Sequence, residues 1–426
     1  MAIDTLRLAI AHLGRRGEGV GHDAEGAPVY VPYALPGETV LAERDGERAR
    51  ILDLLEPRRD RLEPVCPYYG TCGGCAVQTL PGPDYLAWKR DLVATALAKA
   101  GLDVPVEATL DAHGAGRRRA TFHSRLEAPR APPRVGFMQA RTHGIVDIAH
   151  CPILAPGLAG ALPAARRVAA ILSQAGKPLD LVVTATETGL DLDLRGLGPA
   201  GEQQRRALVA AAAALDLARL SNHGEVLVEA RAPLLRMGRA ALAMPPGAFL
   251  QATEAGEAAL AARVLAGVGG AKRVADLFCG VGTFALRLGE AAAVTAVDSE
   301  RGAIAALVRA AAGATGLRQP RTEVRDLFKR PLAAAELEGF DAVVFDPPRA
   351  GAAAQAAEIA RSAVPRVVAV SCDPGTFARD AATLVKGGYA VESVVPVDQF
   401  RYSAHVELVA VFTRPVRVAK KRRLLS

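Results

Sequence analysis

The feature that most constrains the fold is the alternation of apolar, strand-like segments with helical stretches after about residue 246. Strands that alternate with helices form βαβ units, in which the strands pair in parallel and helices cover the sheet. Residues 246–426 are therefore predicted to form an α/β domain of the Rossmann-like type. The four predicted strands are Val274–Phe278, Val294–Val297, Ala342–Phe345 and Val367–Val370.

A distinctive residue follows each predicted strand. A glycine loop begins at Gly280, and Asp298, Asp346 and Cys372 follow the other three strands. Open α/β sheets bind ligands beyond the carboxyl ends of their strands. We therefore expect these residues to converge on one crevice.

The glycine loop points to a nucleoside-type cofactor. Glycine at positions 280 and 282 lets the backbone approach a ligand closely, and Asp298 is placed to accept hydrogen bonds from ribose hydroxyls. A dinucleotide site would carry a third glycine where this chain has Ala285. A ligand without a pyrophosphate fits better, and S-adenosylmethionine is the commonest cofactor of that kind.

Asp346 is followed by Pro347 and Pro348, which fix the backbone and hold the carboxylate rigidly at the sheet edge. The same turn could simply end a strand, and that alternative stays open on sequence alone.

Cys372 and Glu407 are candidates for covalent catalysis. A cysteine thiolate suits addition to an electron-poor ring carbon. Glu407 lies on a predicted strand, Val406–Phe412, and could serve as a base. By residue type alone, an inert buried cysteine and a solvated glutamate are the commoner alternatives. His405 is interpreted as an orienting or structural residue.

Four of the six cysteines form a set with three close members and one remote member: Cys66, Cys72, Cys75 and Cys151. Four thiolates can bind zinc or carry a [4Fe–4S] cluster. A zinc knuckle usually has two short cysteine pairs, so this spacing favours the iron–sulfur cluster, with zinc as the alternative.

At 426 residues, the chain has room for two or three domains. Residues 1–60 predict an OB-like β-barrel of the oligonucleotide-binding kind, or else a structural appendage. Residues 61–245 predict a central α+β domain with the cysteines and a basic cluster, Arg117–Arg119. The net charge of +7 permits a polyanionic partner.

No run of the sequence approaches the ~18 apolar residues that span a membrane. The N-terminal residues do not resemble a secretory signal. We expect a cytoplasmic monomer that has no contact with membranes.

Together these motifs resemble the bacterial RNA (uracil-5)-methyltransferases, in particular the iron–sulfur branch that acts on large-subunit ribosomal RNA. The resemblance covers nearly the whole chain. It implies that residues 1–60 form an RNA-binding TRAM domain, most clearly at Leu35–Glu38. It also implies that the four cysteines of the set bind the cluster, and that Arg117–Arg119 belongs to a basic strand.

The resemblance is more specific in the C-terminal half. It implies that the cofactor, S-adenosylmethionine, is bound by Gln251, Phe278, Asp298 and Asp346. It further implies that Cys372 is the nucleophile and Glu407 the base. Thr283 and Asp373 stand where relatives often carry asparagine, but neither change removes a catalytic group.

The implied reaction transfers a methyl group to carbon 5 of a uridine in 23S rRNA, through an adduct of Cys372 with carbon 6. Three alternatives remain: the same chemistry on tRNA, an N-methyltransferase that uses Asp346-Pro347-Pro348, and a non-catalytic RNA-binding or iron–sulfur assembly protein. The last two leave Cys372 without a role.

Overall fold

The computed structural model describes residues 4–126, 132–173 and 176–414, and these form four β-sheets with helices packed against them. The N-terminal sheet has the order β1-β5-β6-β4-β3-β2. The sheet curls around its apolar core: β1, at one end of this order, contacts β3, which lies next to the other end. Its strands are β1 Thr5–Ala9, β2 His12–Leu13, β3 Gly19–His22, β4 Pro28–Val31, β5 Thr39–Asp45 and β6 Arg48–Glu56.

The middle of the chain supplies a seven-stranded sheet of order β10-β9-β8-β11-β12-β13-β14. All of its neighbours pair antiparallel except β12 and β13. Helices α2 and α3 cover one face and bury a core of aliphatic side chains. The elements of this part are α1 Gly82–Lys99, β7 Leu110–Asp111, β8 Arg119–Arg125, β9 Arg134–Met138, β10 Ile145–Val146, α2 Ala161–Leu172, β11 Leu179–Thr186, β12 Gly189–Arg195, α3 Glu202–Ala214, β13 Arg219–Asn222 and β14 Glu225–Glu229.

The C-terminal part begins with a β15–β16 hairpin and continues with an eight-stranded sheet of order β19-β18-β17-β20-β21-β23-β22-β7. The strands from β19 to β21 are parallel, and β23 is antiparallel to both neighbours. The elements are β15 Leu234–Met237, β16 Ala240–Ala243, α4 Glu254–Val268, β17 Arg273–Leu277, α5 Ala285–Leu288, β18 Ala293–Asp298, α6 Arg301–Ala312, β19 Arg321–Val324, β20 Ala342–Phe345, α7 Ala353–Arg361, β21 Arg366–Ser371, α8 Pro374–Lys386, β22 Ala390–Asp398 and β23 Glu407–Thr413.

The predicted α/β class is confirmed, and the predicted strands correspond to β17, β18, β20 and β21 to within one residue at each end. These runs are predictable because both faces of a central parallel sheet are buried, so their residues are continuously apolar. Separate apolar cores lie on the two faces of the sheet.

Helix α1 and strand β7 lie inside the predicted segment 61–245 but pack on the C-terminal sheet. Val93 and Leu97 of α1 enter the core of that sheet, and β7 pairs in parallel with the end of β22. The predicted domain limits stay predictions. In the described part of the chain, every helix is too short or too polar to cross a bilayer.

Candidate active site

The glycine turn after β17 is shaped by left-handed backbone. Phe278, Gly280 and Gly282 have φ values of 59°, 54° and 95°. Glycine adopts such angles freely, whereas a phenylalanine there is strained and is held by its surroundings. A Cβ at position 282 would stand 2.3 Å from Leu307 Cδ1, so only glycine fits. The turn at Gly282 therefore packs directly against helix α6.

Asp298, at the end of β18, fixes this turn. Its Oδ2 accepts a hydrogen bond from the Gly280 amide at 2.8 Å, and its Oδ1 accepts one from the Glu300 amide at 2.9 Å. Both oxygens keep a lone pair for a further donor, such as a ribose hydroxyl. The ring of Phe278 lies 5.4 Å from the ring of Phe328, which is about half exposed.

Asp276 is a candidate site residue that the sequence prediction missed. It is fully buried in β17, and its carboxyl oxygens have no hydrogen-bond partner among the described residues. Burial, and then the nearby Asp346 carboxylate, raises the pKa of Asp276 well above its usual value. A buried acid without a partner calls for a donor or cation from a ligand. The sequence could have indicated this residue, because Asp276 is an acid within an otherwise apolar part of a strand.

A chain of side-chain hydrogen bonds connects four elements at the carboxyl edge of the sheet. Gln251 Nε2 donates to Asp346 Oδ2 at 3.5 Å, and Gln251 Oε1 accepts from Gln399 Nε2 at 2.6 Å. The same amide nitrogen of Gln399 lies 3.3 Å from Glu407 Oε1 and donates to it. Gln399 was not predicted, because a glutamine in a loop carries no pattern.

Cys372 and Glu407 lie across from each other on neighbouring strands. In the antiparallel register of β21 and β23, Ser371 pairs with Leu408, so the next pair outward is Cys372 and Glu407. Burial, and then Glu407 and Asp346, raises the pKa of Cys372 to about 12. Burial, and then Asp346, raises the pKa of Glu407 to about 8. The site thus holds one thiol and two acids in mutual electrostatic contact.

Arg349 is the cation that faces this group of acids. Its Nη2 lies 3.1 Å from each ring nitrogen of His405. Burial, and then the Arg349 charge, lowers the pKa of His405 to about 4, so the imidazole is neutral and can accept from the guanidinium. The charge of Arg349 also lowers the pKa of Cys372 and of Glu407 against the effect of burial.

The loop between β22 and β23 is held from beneath by Lys89 of α1. Lys89 is fully buried, forms an ion pair with Asp398 at 2.8 Å, and donates to the carbonyls of Phe400 and His405. Tyr85 adds a hydrogen bond to Asp398. The burial of Lys89 could have been predicted from the sequence, since it lies four residues after Tyr85 on the apolar face of the helix.

The basic cluster Arg117–Arg119 leads into strand β8, and two of its side chains have partners inside the protein. Arg118 is buried, pairs with Glu257, and donates through Nε to the Gln251 carbonyl at 3.2 Å. Arg119 donates to a backbone carbonyl, and Arg117 lies 5.8 Å from the ring of Phe400. Because Arg118 and Arg119 have internal partners, these two side chains hold the 248–251 segment in place and present no free charged surface.

The four cysteines of the predicted set, which are free and half-buried, line a single cavity of about 560 Å³. Burial raises the pKa of Cys75 to about 12, and the charges of the other three act in the same direction. Within residues 4–126, 132–173 and 176–414, however, no three His, Cys, Asp or Glu side chains stand in an arrangement that could hold a metal ion. The cysteines share a cavity without forming a preassembled ligand set.

Comparisons with known proteins agree with this geometry. Residues 260–414 match the family described as tRNA (Uracil-5-)-methyltransferase. An uncharacterized RNA methyltransferase of Brucella suis biovar 1 is 47% identical over 410 residues, which cover 96% of this chain and 98% of that protein. The 23S rRNA (uracil(1939)-C(5))-methyltransferase RlmD of Halomonas elongata is 33% identical over 435 residues, covering 96% and 89% of the two chains.

Among solved structures, the tRNA (uracil-54, C5)-methyltransferase of Pyrococcus abyssi, in complex with S-adenosyl-L-homocysteine, superposes with a TM-score of 0.73. It is 22% identical and covers 96% of this chain and 99% of its own, so it shows a shared fold. The alternatives of an amine-directed enzyme and of a non-catalytic protein are excluded by the sequence relatives. The chain belongs to the S-adenosylmethionine-dependent RNA (uracil-5)-methyltransferases.

Proposed function

We propose that the enzyme methylates carbon 5 of a uridine in 23S rRNA, through a covalent adduct between Cys372 and carbon 6 of the base. The ribosomal target is supported by the Halomonas elongata relative, which is named for its activity on 23S rRNA. The same chemistry on tRNA is the second candidate, because the description of the matched family specifies tRNA.

The observation that carries the mechanism is the strand register that sets Cys372 opposite Glu407. Carbon 5 of uracil is a poor nucleophile until a thiolate adds to carbon 6. Addition forms the bond between Cys372 Sγ and carbon 6 and moves the ring electrons toward carbon 5 and the carbonyl oxygen. Arg349, which lowers the pKa of Cys372 against the effect of burial, assists formation of the thiolate.

S-adenosylmethionine, when bound, supplies the methyl group to the activated carbon 5. Glu407 then takes the proton from carbon 5, the ring electrons return, the bond between carbon 6 and sulfur breaks, and Cys372 leaves as a thiolate. Glu407 must be ionised to accept this proton. The hydrogen bond from Gln399 favours the ionised carboxylate and so lowers the pKa of Glu407 against the effect of burial.

The residues proposed to hold S-adenosylmethionine are Gln251, Phe278, Asp298 and Asp346. The buried, unpartnered carboxyl of Asp276 fits such a ligand, because its amino group and sulfonium are the cationic groups that this acid lacks. A nucleoside ligand also agrees with the glycine turn, whose backbone comes close to the crevice without a third glycine.

We propose that Cys66, Cys72, Cys75 and Cys151 hold a [4Fe–4S] cluster. The cavity they share is far larger than one metal ion, and the Arg117 guanidinium beside it has a buried Nε without a hydrogen-bond partner among the described residues. An anionic, thiolate-ligated cluster would be stabilised by the positive charge of the Arg117 guanidinium. The thiols must draw together on binding, as is usual for sites that form with their metal. Such a cluster would tie residues 66–75 to residue 151.

Protein purified without oxygen is expected to contain about four irons per chain and to be brown. Stoichiometric zinc in place of iron would select the zinc alternative. For the rest of the chain, we propose that the curled N-terminal sheet is an RNA-binding TRAM barrel, and that the enzyme acts as a cytoplasmic monomer.

The mechanism is tested by trapping the adduct. Glu407→Gln should still permit attack and methyl transfer but not elimination, so enzyme and labelled RNA should migrate together on a denaturing gel. Cys372→Ala should give neither adduct nor 5-methyluridine. Glu392→Gln, at an exposed position of β22, removes an acid from the same sheet; it is the control and should behave as wild type. A Cys372→Ala enzyme with normal turnover would refute covalent catalysis.

The RNA class is tested separately, by comparing kcat/KM on 23S rRNA fragments and on tRNA transcripts. Mapping of 5-methyluridine in total RNA from a deletion strain should show a loss confined to 23S rRNA. A loss confined to tRNA would establish the second candidate.

A further inference from the structure

We propose that a groove between the N-terminal sheet and the cysteine-bearing segment binds a backbone phosphate of the RNA, next to the uridine that is methylated. We call it the arginine groove and define it by Arg16, Arg48, Arg141, Glu18 and Tyr33. The inference rests on the RNA substrate of the proposed function and names the part of the RNA that this surface holds.

The arginine groove carries an excess of positive charge. It has a volume of about 210 Å³, suited to a group of phosphate size, and its lining includes three guanidinium groups and one carboxylate. That carboxylate, Glu18, forms a long ion pair with Arg48, with 3.8 Å between Glu18 Oε1 and Arg48 Nη2. Guanidinium groups bind phosphate oxygens through paired hydrogen bonds, so the groove has the chemistry of a phosphate site.

Two of the three arginines have no partner. Among the described residues, neither Arg16 nor Arg141 forms an ion pair or a side-chain hydrogen bond, and both are exposed. The positive charges in the groove repel each other: burial, and then the charge of Arg48, lowers the pKa of Arg141, with Arg16 acting in the same direction and Glu18 opposing them. A bound anion would relieve this repulsion.

The groove is connected to the catalytic residues on two sides. Arg15, the neighbour of Arg16, lies 3.1 Å from Asp373, which directly follows Cys372. On the other wall, the amide of Ala76 donates at 2.7 Å to the carbonyl of Tyr402, in the loop that precedes Glu407. A phosphate held in the groove would therefore lie at a fixed place relative to the nucleophile and the base.

The two exposed, unpaired arginines can be removed with little effect on packing. Arg16→Ala with Arg141→Ala should weaken RNA binding and reduce the salt dependence of log Kd by about 0.7 for each lost phosphate contact to a single strand. Single-turnover methylation should fall as well, because the phosphate contact is proposed to place the RNA relative to Cys372 and Glu407. Arg309→Ala is the control, since this exposed arginine is in the last turn of α6, at the opposite edge of the sheet.

The measurements are RNA binding at several salt concentrations and single-turnover methylation at saturating RNA. An unchanged salt slope in the double variant would overturn the proposal, as would an equal loss in the Arg309→Ala control. A wild-type enzyme that makes no 5-methyluridine would instead refute the proposed function. Inorganic phosphate that competes equally with RNA for wild type and for the double variant would also count against an anion site in the groove.

Discussion

Gln399→Leu should separate the attack step from the elimination step. The substitution keeps the side chain's approximate volume but removes the N–H that donates to Glu407 at 3.3 Å. Hydrogen bonds to charged groups contribute about 1.5–3 kcal/mol, and the long distance favours the lower figure. About 1.4 kcal/mol corresponds to a tenfold change in rate or to one unit of pKa.

We therefore expect elimination to slow about tenfold near neutral pH, with the methylated adduct accumulating during turnover. The pKa of Glu407, already raised to about 8, should rise further, so the variant should recover activity at higher pH than wild type. The assay follows adduct formation and decay on denaturing gels between neutral and alkaline pH.

Gln355→Leu is a matched control for this experiment. Gln355 is equally buried and loses two hydrogen bonds to the backbone of Leu332, but it does not contact Glu407. Both variants should lose stability, and only Gln399→Leu should change the pH profile. Identical pH profiles for the two variants would show that Gln399 only supports the fold.

Three further results are expected. Lys89→Met should lower the free energy of unfolding by about 3–5 kcal/mol in urea titrations, because it leaves Asp398 buried without its cation; a loss below about 1 kcal/mol would contradict that reasoning. Asp276→Asn should weaken S-adenosylmethionine binding in calorimetry while RNA affinity is unchanged; unchanged cofactor affinity would mean that the acid has only a structural role. The ligand-free protein should lose stability as pH rises from about 4.5 to about 8, because folded Glu407 keeps a proton that the unfolded chain releases, and a Glu407→Gln variant that shows the same decline would contradict this assignment.

The sequence was most informative where a residue's role follows from periodicity. Buried strands are continuously apolar and the acids come directly after them, so Asp298, Asp346 and Cys372 could be placed at one edge of the sheet from the sequence alone. Gln399 and Arg15 could not be found in this way, because they act through partners that are distant in the sequence.

The charge of a side chain alone did not predict which arginines are exposed and unpaired. The basic cluster of three consecutive arginines includes Arg118, which is buried against Glu257, whereas Arg16 and Arg141 are exposed and form no ion pair within the described part of the chain. Whether a cation is available depends on what the fold places beside it, and a single sequence does not contain that information. Lys89 is the opposite case, since helical spacing from Tyr85 to Val93 indicates its burial.

The position of β23 in the sheet has a consequence for the order in which the sheet and the active site are completed during folding. This strand inserts between β21 and β22, both of which precede it in the chain, so the sheet is split until residues 407–413 arrive. A chain that stops at Asp398 carries the proposed nucleophile without the proposed base and exposes two unpaired strand edges, which invite aggregation. Closure of the sheet and acquisition of Glu407 are thus a single event, and under the proposed mechanism a partly folded enzyme could not release an RNA that it had attacked.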